Sequence, residues 1–323
     1  MLSAIVTARH SAGIRSRDVE RTVVYVTAQT HHCVDKALRI AGLDETVRRH
    51  IGLDECYRMD AELLTERIRG DRRAGLQPWL VLASAGTTDT GAVDPLAAIA
   101  DIAEREGLWM HVDAAYGGAF ALTEPGRDRL RGIERADSLV IDPHKGLFLP
   151  FGTGVVLVRD GAKLAAAHRF TANYMQDTGS REAARDLSPA AASPELSRHF
   201  RALRLWLPLK LAGVAAFRAA LEEKLLLARY FRERIRELDG VEVGPEPDLS
   251  IVTFRYLPEA GDADEFNRRL AERIQADGRI YLSTTRLDSR YVLRMAILNV
   301  RTHRREVDLA VEVIRETAAA IRP

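Results

Sequence analysis

The 323-residue chain is predicted to fold as an α/β protein: a mostly parallel sheet flanked by helices, followed by a smaller α+β domain. Two observations predict this. Short β-branched runs alternate with helical segments between residues 22 and 158, and such alternation is the mark of a parallel sheet. Further on, one long helical stretch gives way to strands at 250–255, 280–283 and 291–296, interleaved with helices. The expected division is a large domain over 1–205 and a small one over 206–323.

Residues 2–10 read as a helix. TVVYVTA (22–28) is a strand by its β-branched content. Helical spacing from His31 to Ala41 stops at Gly42. A charged amphipathic helix over 60–73 closes at Gly75, and WLVLAS (79–84) is the next strand. Asp94-Pro95 opens a helix that runs to Glu106 and stops at Gly107, with proline suited to the first turn. LWMHV (108–112), SLVI (138–141) and GVVLV (154–158) complete the strands. The link from Lys145 to Gly154 is too short for a parallel crossover, so the last strand should run antiparallel. Residues 168–199 lack periodicity and read as a long irregular loop. A helical pattern follows over 196–238, interrupted near Pro208 and Gly213, and helices are expected at 263–276 and 305–321.

Composition narrows the function. Apolar residues are 46% and charged residues 29% of the chain, which reads as a soluble globular protein. A net charge of +1 implies no strong attraction to nucleic acid or an anionic membrane. Cys33 and Cys56 are the two cysteines, too few for a disulfide framework, so a reducing cytoplasm is expected. No apolar run has the length of a membrane span, and the first residues lack a secretory signature.

Ligands of open α/β sheets bind beyond the carboxyl ends of the strands. His31, Thr87, Asp113 and Lys145 each follow a strand candidate, so a parallel sheet would gather them on one edge. A lysine and an aspartate in that position suit pyridoxal phosphate: the amine forms a Schiff base with the aldehyde, and the carboxylate keeps the pyridine nitrogen protonated. Lys145 lies between IDP and the apolar GLFLPFG, which predicts a buried amine. Asp113 precedes the small residues Ala114, Ala115, Gly117 and Gly118, which let a flat ring approach; its competing role is a turn carboxylate. Ala115 could touch one ring face and His31 the other, His31 could instead contact the substrate carboxylate, and His144 could contact phosphate or substrate. No metal is expected, because adjacent histidines point apart and no ligand set has metal spacing. A serine hydrolase is disfavoured by the absence of G-x-S-x-G.

At these residues the chain resembles the group II pyridoxal-phosphate-dependent amino-acid decarboxylases, the family of aromatic-L-amino-acid decarboxylase. The motifs are TAQTHHCVDKALRIAG, ASAGTTDTGAVDPL, HVDAAYGGAF, DPHKGLFLPFGTG and SPELSRHFRALRLWLPLK, in the family's order. The resemblance implies fold type I with a seven-stranded sheet, a small C-terminal domain, and a homodimer with active sites at its interface. It implies Lys145 as the Schiff-base lysine, Asp113 as the partner of the pyridine nitrogen and His31 as the stacking histidine. Thr87, Ala115 and His144 correspond to a threonine near the cofactor, the alanine under the ring and the phosphate-side histidine. Tyr174 corresponds to the tyrosine that protonates the α-carbon after carbon dioxide leaves. Two departures stand out. Gly146 replaces a frequent tryptophan, and the Gly/Ser/Thr-rich phosphate turn, the N-terminal segment and an edge strand of the family have no counterpart. The expected activity is decarboxylation of an L-amino acid with an aromatic or other bulky side chain. The alternatives are another reaction of the same cofactor (aminotransferase, lyase or aldehyde synthase) or an inactive, N-terminally truncated relative.

Overall fold

The computed structural model describes residues 1–169 and 189–321. Its strands are β1 (Thr22–Thr27), β2 (Val47–Ile51), β3 (Gln77–Ser84), β4 (Trp109–Asp113), β5 (Ser138–Ile141), β6 (Val155–Val158), β7 (Val241–Val243), β8 (Ile251–Tyr256), β9 (Ser283–Leu287) and β10 (Arg290–Ala296). The helices are α1 (Leu2–Ser11), α2 (Cys33–Ile40), α3 (Ala61–Arg73), α4 (Leu96–Glu106), α5 (Glu124–Arg129), α6 (Pro143–Gly146), α7 (Gly161–His168), α8 (Leu203–Arg236), α9 (Ala263–Asp277) and α10 (Arg304–Ile321).

The first sheet has the order β2-β1-β3-β4-β5-β6. Its first five strands are parallel, and β6 runs antiparallel to β5 as the short link demands. The sheet has six strands among the described residues rather than the seven implied by the resemblance. Central strands are buried on both faces, so TVVYVT reads as a continuous apolar run. One face carries Val23, Tyr25, Val81 and Met110 under α3 and α4. The other carries Val24, Val26, Leu80 and Trp109 under α1 and α2. Strand β2 was not expected. Its sequence VRRHI is mostly half-exposed at the sheet edge, and an edge strand can carry charges that hide the strand signal.

The second sheet is antiparallel, in the order β7-β8-β10-β9. A two-residue turn joins β9 to β10, with Asp288 and Ser289 both at positive φ, which is the backbone of a type I′ hairpin. Strand β9 lies C-terminal to the expected 280–283, since the β-branched STT pairs and the preceding Leu282 turns into the core. Helix α8 joins the two cores. Leu221 and Leu225 belong to the first, Leu227, Phe231 and Ile235 to the second. The helix continues past Pro208 and breaks at Gly213, whose φ of 73° and ψ of 159° suit only glycine. Residues 196–202, expected to be helical, are not.

Asp248, just before β8, ties the sheets together. Its buried carboxylate takes both ends of the Arg58 guanidinium at 2.6 and 3.0 Å, Arg129 Nε at 3.2 Å and the Val93 N–H at 2.8 Å. Tyr116 adds a second tie, its hydroxyl lying 2.7 Å from Ser250 Oγ.

Candidate active site

The carboxyl ends of β1, β3, β4 and β5 meet at one cavity of about 270 Å³. His31, Thr87, Asp113, Ala115 and Lys145 all line it, together with Gln29, Cys33, Ser84, Thr88, Tyr116 and Asp142. Residues more than a hundred positions apart are thus brought to one edge because the strands are parallel.

Asp113 ends β4. Its Oδ1 accepts the Ala115 N–H at 3.1 Å, which orients the carboxylate and leaves Oδ2 for a ligand. So the carboxylate does cap a turn amide, while still lining the cavity. Below it on the same face, His111 is buried with Nδ1 2.8 Å from Ser138 Oγ. Trp109 Nε1 donates to the same hydroxyl at 2.8 Å. Burial lowers the His111 pKa to about 3, so a neutral ring underlies the carboxylate.

Lys145 sits in the short helix α6, where Pro143 occupies the first turn. It is not the buried amine the apolar context predicted. Its side chain is 41% exposed, and Nζ pairs with Asp142 Oδ2 at 3.0 Å. The apolar flank instead turns Leu147 and Leu149 into the core, while the lysine faces the cavity. Asp142 went unremarked in the sequence, although its i, i+3 spacing from Lys145 is the contact spacing of a helix.

His31 supplies a flat, neutral ring. The Cys33 N–H donates to its Nδ1 at 3.2 Å, which leaves the ring proton on Nε2. Burial, then the neighbouring charge of His32, holds its pKa down. Burial likewise raises the Cys33 thiol to about 11, so Cys33 stays protonated at neutral pH and is no thiolate nucleophile.

Thr87 lines the cavity, but its hydroxyl is engaged. Oγ1 lies 2.8 Å from Thr90 Oγ1 and accepts the Ala92 N–H at 3.1 Å. Thr88, beside it, is exposed in the wall and offers the more accessible hydroxyl. His144 does not line the cavity. Its Nδ1 lies 2.9 Å from the Thr153 carbonyl, and its ring stacks on Phe151 at 4.7 Å. Tyr174 lies outside the described residues.

Asp94 acts behind the wall. Rather than capping the helix it precedes, its carboxylate accepts the Ser84 and Met59 N–H groups, both at 2.7 Å. Burial raises its pKa to about 6.

The donor set fits pyridoxal phosphate. An amine, a carboxylate, a neutral imidazole and a methyl side chain share one wall. Gln29 Oε1 is a buried acceptor with no partner among the described residues, and it lines the same cavity. A bound molecule with a polar edge would satisfy it.

Residues 5–257 match the family model of the pyridoxal-dependent decarboxylase conserved domain. The chain belongs to this family. Over 310 residues it is 39% identical to an aromatic-L-amino-acid decarboxylase of Bacillus atrophaeus, covering 95% of this chain and 64% of that protein. It is 32% identical over 306 residues to a phenylacetaldehyde synthase of Arabidopsis thaliana, covering 93% of this chain and 62% of that one. The crystal structure of Oryza sativa TDC with PLP and tryptamine superposes with a TM-score of 0.92 at 33% identity, over all of this chain and 68% of that one. The chain thus spans a little under two thirds of these curated relatives of the pyridoxal-dependent decarboxylase family.

Proposed function

We propose that the protein acts in pyridoxal-phosphate-dependent decarboxylation of an L-amino acid with an aromatic side chain, releasing an amine and carbon dioxide. The observation that carries this reading is the meeting of Lys145 and Asp113 in one cavity. When bound, pyridoxal phosphate withdraws electrons from the substrate α-carbon, which lets the carboxylate leave as carbon dioxide. Lys145 would hold the aldehyde end through its amine, with Asp142 at 3.0 Å steadying the ammonium beforehand. Asp113 would keep the pyridine nitrogen protonated. His31 and Ala115 would bound the ring, and Thr88 would offer a hydroxyl beside it. His144, held by Thr153 and Phe151, would shape the segment after Lys145. Tyr174 enters by resemblance as the proton donor to the α-carbon.

The aromatic preference rests on the names of the relatives. Their phenylacetaldehyde synthase member also supports a second reading, in which the product is an aldehyde. The same reading includes a homodimer in the cytoplasm. Phe200, Trp206 and Leu211 are more than half exposed along and just before the first half of α8, with Leu203 and Leu207 between them, and a second copy would cover this apolar face. No described helix is long and apolar enough to cross a membrane.

The test is covalent trapping. After incubation with pyridoxal phosphate and borohydride reduction, the peptide containing Lys145 should gain the mass of the reduced cofactor, and Lys145→Ala should not. Folded protein that traps nothing at Lys145 would sink the reading. Product analysis with tryptophan, tyrosine and phenylalanine separates amine from aldehyde, the latter accompanied by oxygen consumption.

A further inference from the structure

Away from the cavity, a groove of about 550 Å³ runs between the outer edge of β2 and helix α3. Among the described residues strand β2 pairs only with β1, so its far side presents backbone N–H and C=O groups that no described strand takes up. Leu63, Arg67, Gly70 and Arg73 of α3 form the opposite wall, at the three- and four-residue spacing of one helix face. From Leu63 to Arg73 the helix rises about 15 Å, close to the reach of the five residues of β2, about 16 Å.

Three features distinguish this groove from an edge merely blunted by charge. Arg67, Arg69 and Arg73 are exposed and form no ion pair among the described residues, and with His50 they face only Glu66. Elsewhere on the same strand the arginines are paired: Arg48 with Asp35 and Asp44, Arg49 with Asp71. Gly70 lies inside the helix, where glycine is a poor choice, and a Cβ built there meets nothing within 4 Å. No neighbour in the chain therefore requires glycine at that position, yet it opens the middle of the groove to a close approach. Leu63, 44% exposed, offers an apolar contact at the Gly52 end of the groove, about two helical turns from Gly70.

We propose that this groove docks an extended acidic peptide segment of a partner protein, which adds to β2 as a further strand. Main-chain hydrogen bonds to the edge would supply affinity, and alternate side chains would reach the helix. Carboxylates would meet Arg67 and Arg73, and a small or apolar residue would pass over Gly70. A nucleic acid is the poorer fit, because among the described residues no Phe, Tyr or Trp lines the groove and His50 is its one ring, too little for successive bases to stack on.

The experiment uses the full chain and a fluorescein-labelled peptide of about eight alternating glutamate and valine residues, long enough to span the groove. Fluorescence anisotropy should show saturable binding, and amide hydrogen exchange over residues 47–51 should slow when the probe is bound. Arg67→Glu with Arg73→Glu should weaken binding by at least about tenfold. Gly70→Met should also abolish binding without lowering the melting temperature, since methionine is the better helix former. Borohydride trapping of pyridoxal phosphate at Lys145 should be unchanged in both variants, which keeps this test separate from the active site. Equal binding by a probe N-methylated at alternate residues would overturn the proposal. So would unchanged exchange over 47–51, or binding of heparin but not of the peptide, because charge alone would then explain the groove.

Discussion

Asp94→Asn should remove a pH-dependent part of the protein's stability. The wild-type carboxylate is 3% exposed and accepts two backbone N–H groups, from Ser84 and Met59. Its pKa rises from 3.8 to about 6, first because burial disfavours the charge, with the two N–H groups pulling the other way. The folded state therefore binds the proton more tightly than the unfolded state. The associated stability is fully present below pH 3.8 and is lost as pH rises through about 6. A rise of about 2 in pKa corresponds to about 3 kcal/mol in all, of which about 1.4 kcal/mol falls between pH 5 and 7.5. Asparagine does not titrate, so this slope should vanish. The variant should also be less stable at pH 7.5 by about 2 kcal/mol, because its amide accepts one N–H and turns a donor towards the other. Urea denaturation of both proteins at pH 5 and 7.5 gives the double difference, in which titration of all other groups cancels. Parallel stability profiles for the two proteins would refute the assignment of the titration to Asp94. Since Ser84 lines the cavity, the variant should also retain pyridoxal phosphate less well.

Asp248→Asn should lower stability by about 2 kcal/mol, less than a fully buried pair because Arg58 and Arg129 are partly exposed; an unchanged urea midpoint would contradict this. Thr87→Ala should cost about 1–2 kcal/mol through the lost bonds to Thr90 and Ala92. Thr88→Ala should leave the melting temperature unaltered and weaken cofactor retention, and the reverse pattern would exchange the two roles. Gly146→Ala should destabilise by about 1–3 kcal/mol, since the added Cβ would lie 2.5 Å from Ala119 Cβ. That contact faces the core, so a larger side chain at this position would need a different local packing.

The strands of the first sheet other than β2 were legible because each combines β-branched or apolar runs with a local stop signal, and Asp113 and Lys145 were legible because each comes soon after such a run. Strand β2 was not, because Arg48, Arg49 and His50 mask any alternation. Thr87 and Thr88 are adjacent in one motif, and only the turn through Thr90 and Ala92 distinguishes the engaged hydroxyl from the accessible one. His144 had the right neighbours, yet the Thr153 carbonyl and the Phe151 ring draw it out of the cavity wall.

Local pattern by itself determined the parallel topology, the antiparallel sixth strand and the strand-end placement of His31, Asp113 and Lys145. These follow from hydrophobic period and chain length, which depend on neighbours along the sequence. Tertiary structure alone decided that Lys145 is solvated and paired with Asp142, that the Asp94 carboxylate turns to Met59 and Ser84, and that the Tyr116 hydroxyl reaches Ser250. The direction of a polar side chain is set by whichever partner lies within hydrogen-bond range after the chain has packed, and that partner can stand anywhere in the sequence.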